Sequence, residues 1–131
     1  MRLSKDEKFI AIKQGLEGRP EILFAYLFGS FVEQDSFHDI DVAVYVNNSS
    51  VLSDVVRYSI RLSLDLEKLL GQSVDMVVLN TAPDHLVHEI SKGRLVVDRD
   101  EDFRTDFIAA SWKRYFDIQP KRLQALRDIL S

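Results

Sequence analysis

The chain has 131 residues and a formal net charge of −4, too short for two domains and without the basic excess of a general nucleic-acid binder. It contains no cysteine, which excludes disulfides and thiolate metal sites and makes a cytoplasmic location the expectation. No apolar run approaches the length of a membrane span, and residues 1–8 carry no signal-peptide core.

Ser4 followed by Glu7 has the form of a capping box, and Phe9, Ile10, Ile12 and Leu16 follow at helical spacing until Gly18 and Pro20 end the pattern. Residues 22–28 are all apolar and predict a strand buried on both faces. Gly29 and Ser30 close it with a tight turn whose backbone donors suit an anionic phosphate. Residues 39–46 alternate and predict a second strand, with Ile40, Val42, Val44 and Val46 on one side and Asp39, Asp41, Ala43 and Tyr45 on the other. Two carboxylates spaced by two on a strand repel each other across one face, and Asp is a poor strand residue. In an isolated Asp-x-Asp these would be two solvated aspartates. After a Gly-Ser turn, the stronger reading is a pair that shares a divalent cation.

A turn over residues 47–50 precedes a long amphipathic helix, marked by Val51, Leu52, Val55, Val56, Ile60, Leu62, Leu66, Leu69 and Leu70 and stopped at Gly71. Residues 73–79 predict a third strand. Pro83 lies in the first turn of a short helix that reaches Ile90 and closes at Gly93, and residues 94–98 form a fourth strand. From about residue 100 the pattern is helical to residue 131, with Pro120 expected to divide it into two helices. The order α-β-β-α-β-α-β-α-α describes one α/β domain over residues 1–131, a small mixed β-sheet with packed helices.

Asp75 interrupts the third strand. A lone Asp there either bonds backbone donors or an arginine at a strand edge, or faces a cation. If its strand lies beside the second one, Asp39, Asp41 and Asp75 converge at one end of the sheet. Oxygen-only ligands suit Mg²⁺ or Mn²⁺, and Mg²⁺ held by carboxylates completes its shell with water and substrate phosphates. The chemistry indicated is metal-assisted attack on a nucleotide phosphate.

With these residues in place the chain resembles nucleotidyltransferases of the DNA polymerase beta superfamily, in which a Gly-Ser turn precedes an Asp-x-Asp and a third carboxylate stands on a later strand. More closely it resembles the minimal nucleotidyltransferase (MNT, MntA-like) antitoxins of HEPN/MNT toxin–antitoxin systems. The segments Leu27-Phe28-Gly29-Ser30, Asp39-Ile40-Asp41-Val42, Val74-Asp75-Met76-Val77-Val78-Leu79-Asn80 and Gly93-Arg94-Leu95-Val96-Val97-Asp98-Arg99-Asp100 carry the likeness, with the aromatic stretch Tyr115-Phe116-Asp117-Ile118. The resemblance implies a nucleotidyltransferase-like fold and transfer of AMP from ATP to a tyrosine of a cognate HEPN RNase toxin. It further implies that Gly29 and Ser30 contact the triphosphate, Asp39 and Asp41 hold Mg²⁺, and Asp75 shares a second metal and helps to activate the incoming hydroxyl.

The chain departs from that pattern between the turn and Asp39. Residues 31–38 form a shorter spacer without Arg, Lys or Gly and include Glu33 and Asp35. Arg57, Arg61 or Lys68 on the following helix are candidates to supply the missing cation. Two other functions therefore stand beside catalysis: neutralisation of the toxin by binding alone, and nucleotidyl transfer to a small molecule.

His85 and His88 share a helical spacing seen in metal sites, but without a third ligand they read as ordinary surface or partly buried histidines. His38 reads as a loop residue. Phe103, Phe107, Ile108, Trp112, Tyr115 and Phe116 are expected mainly in the core, with part of that surface available to a partner. Lys113, Arg114, Lys121 and Arg122 read as a solvated face.

Overall fold

The computed structural model of the protein describes residues 3–35, 38–47 and 49–130, with side chains described throughout these except at 49, 50, 118–127 and 130. The all-apolar run becomes strand β1 (Ile22–Phe28), and the alternating run becomes β2 (Ile40–Val46). Two shorter strands follow, β3 (Val74–Val78) and β4 (Arg94–Asp98). They form one four-stranded mixed sheet in the order β3-β2-β1-β4, with β1 antiparallel to both β2 and β4 and β2 parallel to β3. β1 is apolar throughout because it is an inner strand with helices on both faces.

Helix α1 (Lys5–Glu17) opens with the expected capping box: Ser4 Oγ accepts from the Glu7 N–H at 3.1 Å, and the Glu7 carboxylate accepts from the Ser4 N–H at 3.0 Å. Helix α2 (Ser30–Glu33) lies in the spacer, where no element was predicted, since a single turn is too short to show a period. The long helix expected from Val51 is two pieces, α3 (Ser49–Leu52) and α4 (Val55–Leu70). Asp54 explains the break: its carboxylate accepts from the Arg57 N–H at 3.1 Å and starts a new helix as N-cap. Asn48 of the expected turn lies outside the described residues.

A 3₁₀ turn, Leu79–Thr81, ends β3 earlier than expected, and α5 (Asp84–Ser91) follows Pro83. Helix α6 (Glu101–Leu130) runs through Pro120 as one element instead of two. A proline removes one N–H donor from the ladder, and the helix continues past that single loss. Among the described residues no helix is long and apolar enough to cross a membrane.

The period-2 pattern of the strands divides the core. On one face, Leu27, Val42, Val44, Val74 and Val78 pack with Ile12 and Leu16 of α1 and with Leu62, Leu66 and Leu70 of α4. On the other, Phe24, Tyr26 and Ala43 pack with Val87 and Ile90 of α5, and Tyr45, Phe107 and Ile108 join them. Tyr45 stacks on Phe24 at 5.1 Å and meets the edges of Phe103 at 5.0 Å and Phe107 at 5.1 Å, so the first half of α6 is anchored to the sheet by aromatic packing. This is the core role expected for Phe107 and Ile108, whereas Phe103 touches Tyr45 and Phe24 but stays exposed.

Asp84 fastens the two helices of this face. Arg114 donates to both of its oxygens at 3.0 Å, and Ser111 Oγ donates at 2.7 Å. Arg114 keeps the solvated position expected of it while pairing with Asp84, and the side chains of Lys121 and Arg122 lie outside the described residues. The hydrogen bonds from Arg114, foremost, hold the Asp84 carboxyl below its usual value. A lowered carboxylate stabilises the fold above its unfolded titration range and loses that contribution as pH falls through the folded value. Asp84→Asn is accordingly expected to flatten the acid limb of a thermal-unfolding profile between pH 5 and pH 2, roughly the range where carboxylates titrate. An unchanged acid limb would count against the clamp.

Candidate active site

The register between β2 and β3 decides whether the acidic residues meet. Asp41 and Asp75 are direct partners across the parallel pair, one strand spacing apart, and Asp41 is also the partner of Phe28 at the end of β1. Asp41 alternates with Ala43 and Tyr45, so it stands on the face covered farther along by α5 and α6. Asp41 is partly buried, and Asp39 and Asp75 are exposed. Asp39 immediately precedes β2 instead of belonging to it.

The electrostatics follow from this placement. Burial, first, and then the charges of Asp75 and Asp39 raise the Asp41 carboxyl above its usual value. Both other acids thus act on the central one. Among the described residues no group of three or more His, Asp or Glu side chains is arranged as a metal cage. The fold supplies one partly buried carboxylate with two exposed ones acting on it, and oxygen donors of this kind suit Mg²⁺ or Mn²⁺.

Gly29 sits at the end of β1 with φ 73° and ψ −155°, and it starts α2. A β-carbon there would run into Oδ2 of Asp41 and stand 3.2 Å from its carboxyl carbon. The turn and the carboxylate are therefore in van der Waals contact, and only a residue without a side chain lets them approach. Ser30 opens α2 beside that contact.

Two links hold Asp39 in place. The Ile40 N–H donates to the Ser73 carbonyl at 3.0 Å, and Gln72 Nε2 donates to the His38 carbonyl at 3.0 Å. Lys8 Nζ in turn donates to Gln72 Oε1 at 2.6 Å. Sequence reasoning missed Gln72, because a side chain bonding 34 positions away leaves no periodic signal. His38 takes part through its carbonyl. Gln72→Ala is expected to lower the rate of the reaction proposed below by about tenfold through misplacement of Asp39, with a stability change within about 1 kcal/mol. Equal rates for the variant and the parent would show that Asp39 needs no such tether.

Two of the cations suggested for the short spacer, Arg57 and Arg61, are elsewhere. α4 packs on the sheet face opposite Asp41, and Arg57 and Arg61 flank Tyr58, whose hydroxyl donates to Glu21 next to the start of β1. Lys68 is in the last turn of the same helix, just before Gly71 and Gln72. Near the spacer the structure instead places Lys5, whose Nζ donates to the Gln34 carbonyl at 2.9 Å. Glu33 and Asp35 are exposed.

The two histidines have different surroundings. His85 is exposed, and His88 lies 4.6 Å from the rings of both Trp112 and Tyr115. Trp112 Nε1 donates to Ser91 Oγ at 2.8 Å, which secures this part of α6 to α5.

A mixed sheet with a glycine turn against one of three neighbouring acids defines a class, and comparison with known proteins agrees. Residues 11–102 match the family model described as polymerase beta, nucleotidyltransferase, and the chain belongs to that family. No curated protein sequence matches the chain. Among solved structures, it shares its fold with a chain of the complex between tri-AMPylated Shewanella oneidensis HEPN toxin and MNT antitoxin (22% identity, 97% of this chain and 99% of that chain covered, TM-score 0.70). A toxin–antitoxin structure with AMP-PNP is similar at 23% identity, with 94% and 98% covered and a TM-score of 0.72. A MntA-HepT toxin–antitoxin structure follows at 22% identity, with 95% and 97% covered and a TM-score of 0.68.

Proposed function

We propose that the chain is an Mg²⁺-dependent adenylyltransferase that serves as the antitoxin of a HEPN RNase toxin, transferring AMP from ATP to a tyrosine hydroxyl of that toxin. The observation that carries this reading is the pairing of Asp41 with Asp75 across β2 and β3, with Gly29 packed against the Asp41 carboxylate. Family membership supports nucleotidyl transfer, and the shared fold of MNT antitoxins in complex with HEPN toxins supports the acceptor. One domain spanning residues 1–131 is sufficient for the activity in this reading.

Asp39 and Asp41 would hold the cation, with Asp75 contributing to a second one. The cations supply charge neutralisation for the triphosphate and for the charge that develops during displacement. Gly29 and Ser30 place backbone donors beside the phosphates. Asp75, the exposed member of the pair, lies on the edge strand and can accept the acceptor's hydroxyl proton. The tyrosine oxygen bonds to the α-phosphorus, the bond between that phosphorus and the β-bridging oxygen breaks, and pyrophosphate leaves. Lys5, which bonds the Gln34 carbonyl, brings a positive charge to the spacer that can offset Glu33 and Asp35.

A second reading, neutralisation by binding alone, draws on those two exposed acids and on the absence of Arg and Lys from residues 31–38. Incubation with ATP labelled at the α-phosphate, Mg²⁺ and the helical toxin encoded in the adjacent reading frame separates the two. Label on the toxin supports transfer. A tight complex that stays unlabelled supports the binder, and label that passes only to small hydroxylated acceptors supports neither.

A further inference from the structure

Helix α4 carries more apolar surface than the sheet uses. Leu62, Leu66 and Leu70 are buried, yet Val56 is 70% exposed, Ile60 54% and Leu64 50%. Their spacing of four puts them in one stripe over more than two turns of the outer face. A shallow depression beside it is lined by Asp54, Val56, Arg57, Ile60 and Arg61. Single exposed apolar residues are ordinary, whereas a contiguous stripe of three is the pattern of a surface that receives another helix.

The charges along one flank select the occupant. Arg57 and Arg61 make no ion pair among the described residues. The neighbouring acids are engaged: Asp65 pairs with Arg19 at 2.7 Å, and Asp54 caps the Arg57 N–H. The depression therefore carries two arginines against the single carboxylate of Asp54, an excess of positive charge. In a two-fold antiparallel pairing of α4 with a second copy, each flank meets its own equivalent, which sets Arg57 and Arg61 against the same arginines. Like charges in that position oppose self-association.

We propose that the outer face of α4 docks an amphipathic helix of the partner toxin, with its apolar side on Val56, Ile60 and Leu64 and acidic residues toward Arg57 and Arg61. This rests on the antitoxin reading above and adds the surface by which the toxin is held. α4 covers the sheet face opposite Asp41, so docking there leaves the acidic rim uncovered.

The test uses the full chain and the toxin from the adjacent reading frame, with Ile60→Asp/Leu64→Asp and Arg57→Glu/Arg61→Glu as variants. Circular dichroism should match the parent, because all four positions are exposed. Calorimetry should give at least tenfold weaker toxin binding for both variants, with a raised KM for toxin and an unchanged rate at saturating toxin. Arg57→Glu/Arg61→Glu should also lose the salt dependence of the parent's binding. If the parent binds and labels the toxin and both variants match it, the docking surface is overturned and the function stands. If the parent neither binds nor labels it, both fall. If sedimentation shows a dimer of the chain alone that Ile60→Asp/Leu64→Asp converts to monomer, the stripe is a self-interface and the proposal is wrong.

Discussion

Replacing Asp41 with Asn is expected to lower AMP transfer by roughly 10³-fold or more while leaving the protein folded and at least as stable as the parent without divalent cation. The two halves of this expectation have one cause. Asp41 is partly buried, and Asp75 and Asp39 lie near enough to raise its carboxyl above the usual range. A carboxylate with a raised folded-state pKa stabilises the fold fully below its unfolded value, and the contribution is lost as pH rises through the folded value. At neutral pH the ionised group therefore works against the fold, and the neutral amide removes that repulsion. Thermal unfolding in a chelator should show the parent falling relative to Asp41→Asn as pH rises from about 4 to 7. Adding Mg²⁺ should then raise the melting temperature of the parent but not of the variant, since a cation that binds only the folded state stabilises it by mass action. An Asp41→Asn protein less stable than the parent throughout, or one that still labels the toxin, would contradict the account.

Gly29→Ala should damage both fold and chemistry. Its φ of 73° and ψ of −155° fall in a region essentially restricted to glycine, where a side chain adds about 1–3 kcal/mol of strain. Its β-carbon would also run into the Asp41 carboxylate, so the acid must turn away or the turn must shift. Displacement by about 1 Å in a catalytic group is enough for a 10²-fold loss of rate. Gly29→Ala is thus expected to lose about 1–3 kcal/mol in denaturant unfolding and at least about 10²-fold in transfer. Ser30→Ala is the control: it removes only a hydroxyl, so it should keep the parent's stability and lose less activity. If Gly29→Ala matched Ser30→Ala in both measurements, the close approach of turn and carboxylate would have no role.

Much of the frame was legible in the residues. The unbroken apolar run of β1 requires cover on both faces, and the alternation of residues 39–46 places Asp41 with Tyr45 away from Val42 and Val44, as the two core clusters confirm. The contact of Asp41 with Asp75 was legible only conditionally. Nothing local in β3 states which strand it joins, and the parallel pairing arises from the crossover through α4. Elements that depend on one side chain were lost. Asp54 ends the helical pattern by capping, α2 is a single turn, and α6 passes Pro120 despite its missing donor. Distant partners were lost too: Arg57 and Arg61 follow β2 closely in sequence yet lie across the sheet from Asp41. Lys5 and Gln72 instead reach the segment before it.

The central claim is that Asp39, Asp41 and Asp75 form one cation site beside the Gly29 turn. Crystals soaked with Mn²⁺ and a non-hydrolysable ATP analogue test it most directly, by anomalous diffraction at the manganese edge. A manganese peak within coordination distance of Asp41 and at least one of the other two acids, with the triphosphate against Gly29 and Ser30, is the predicted result. Manganese and nucleotide bound elsewhere on the protein, with that end of the sheet bare, would contradict it.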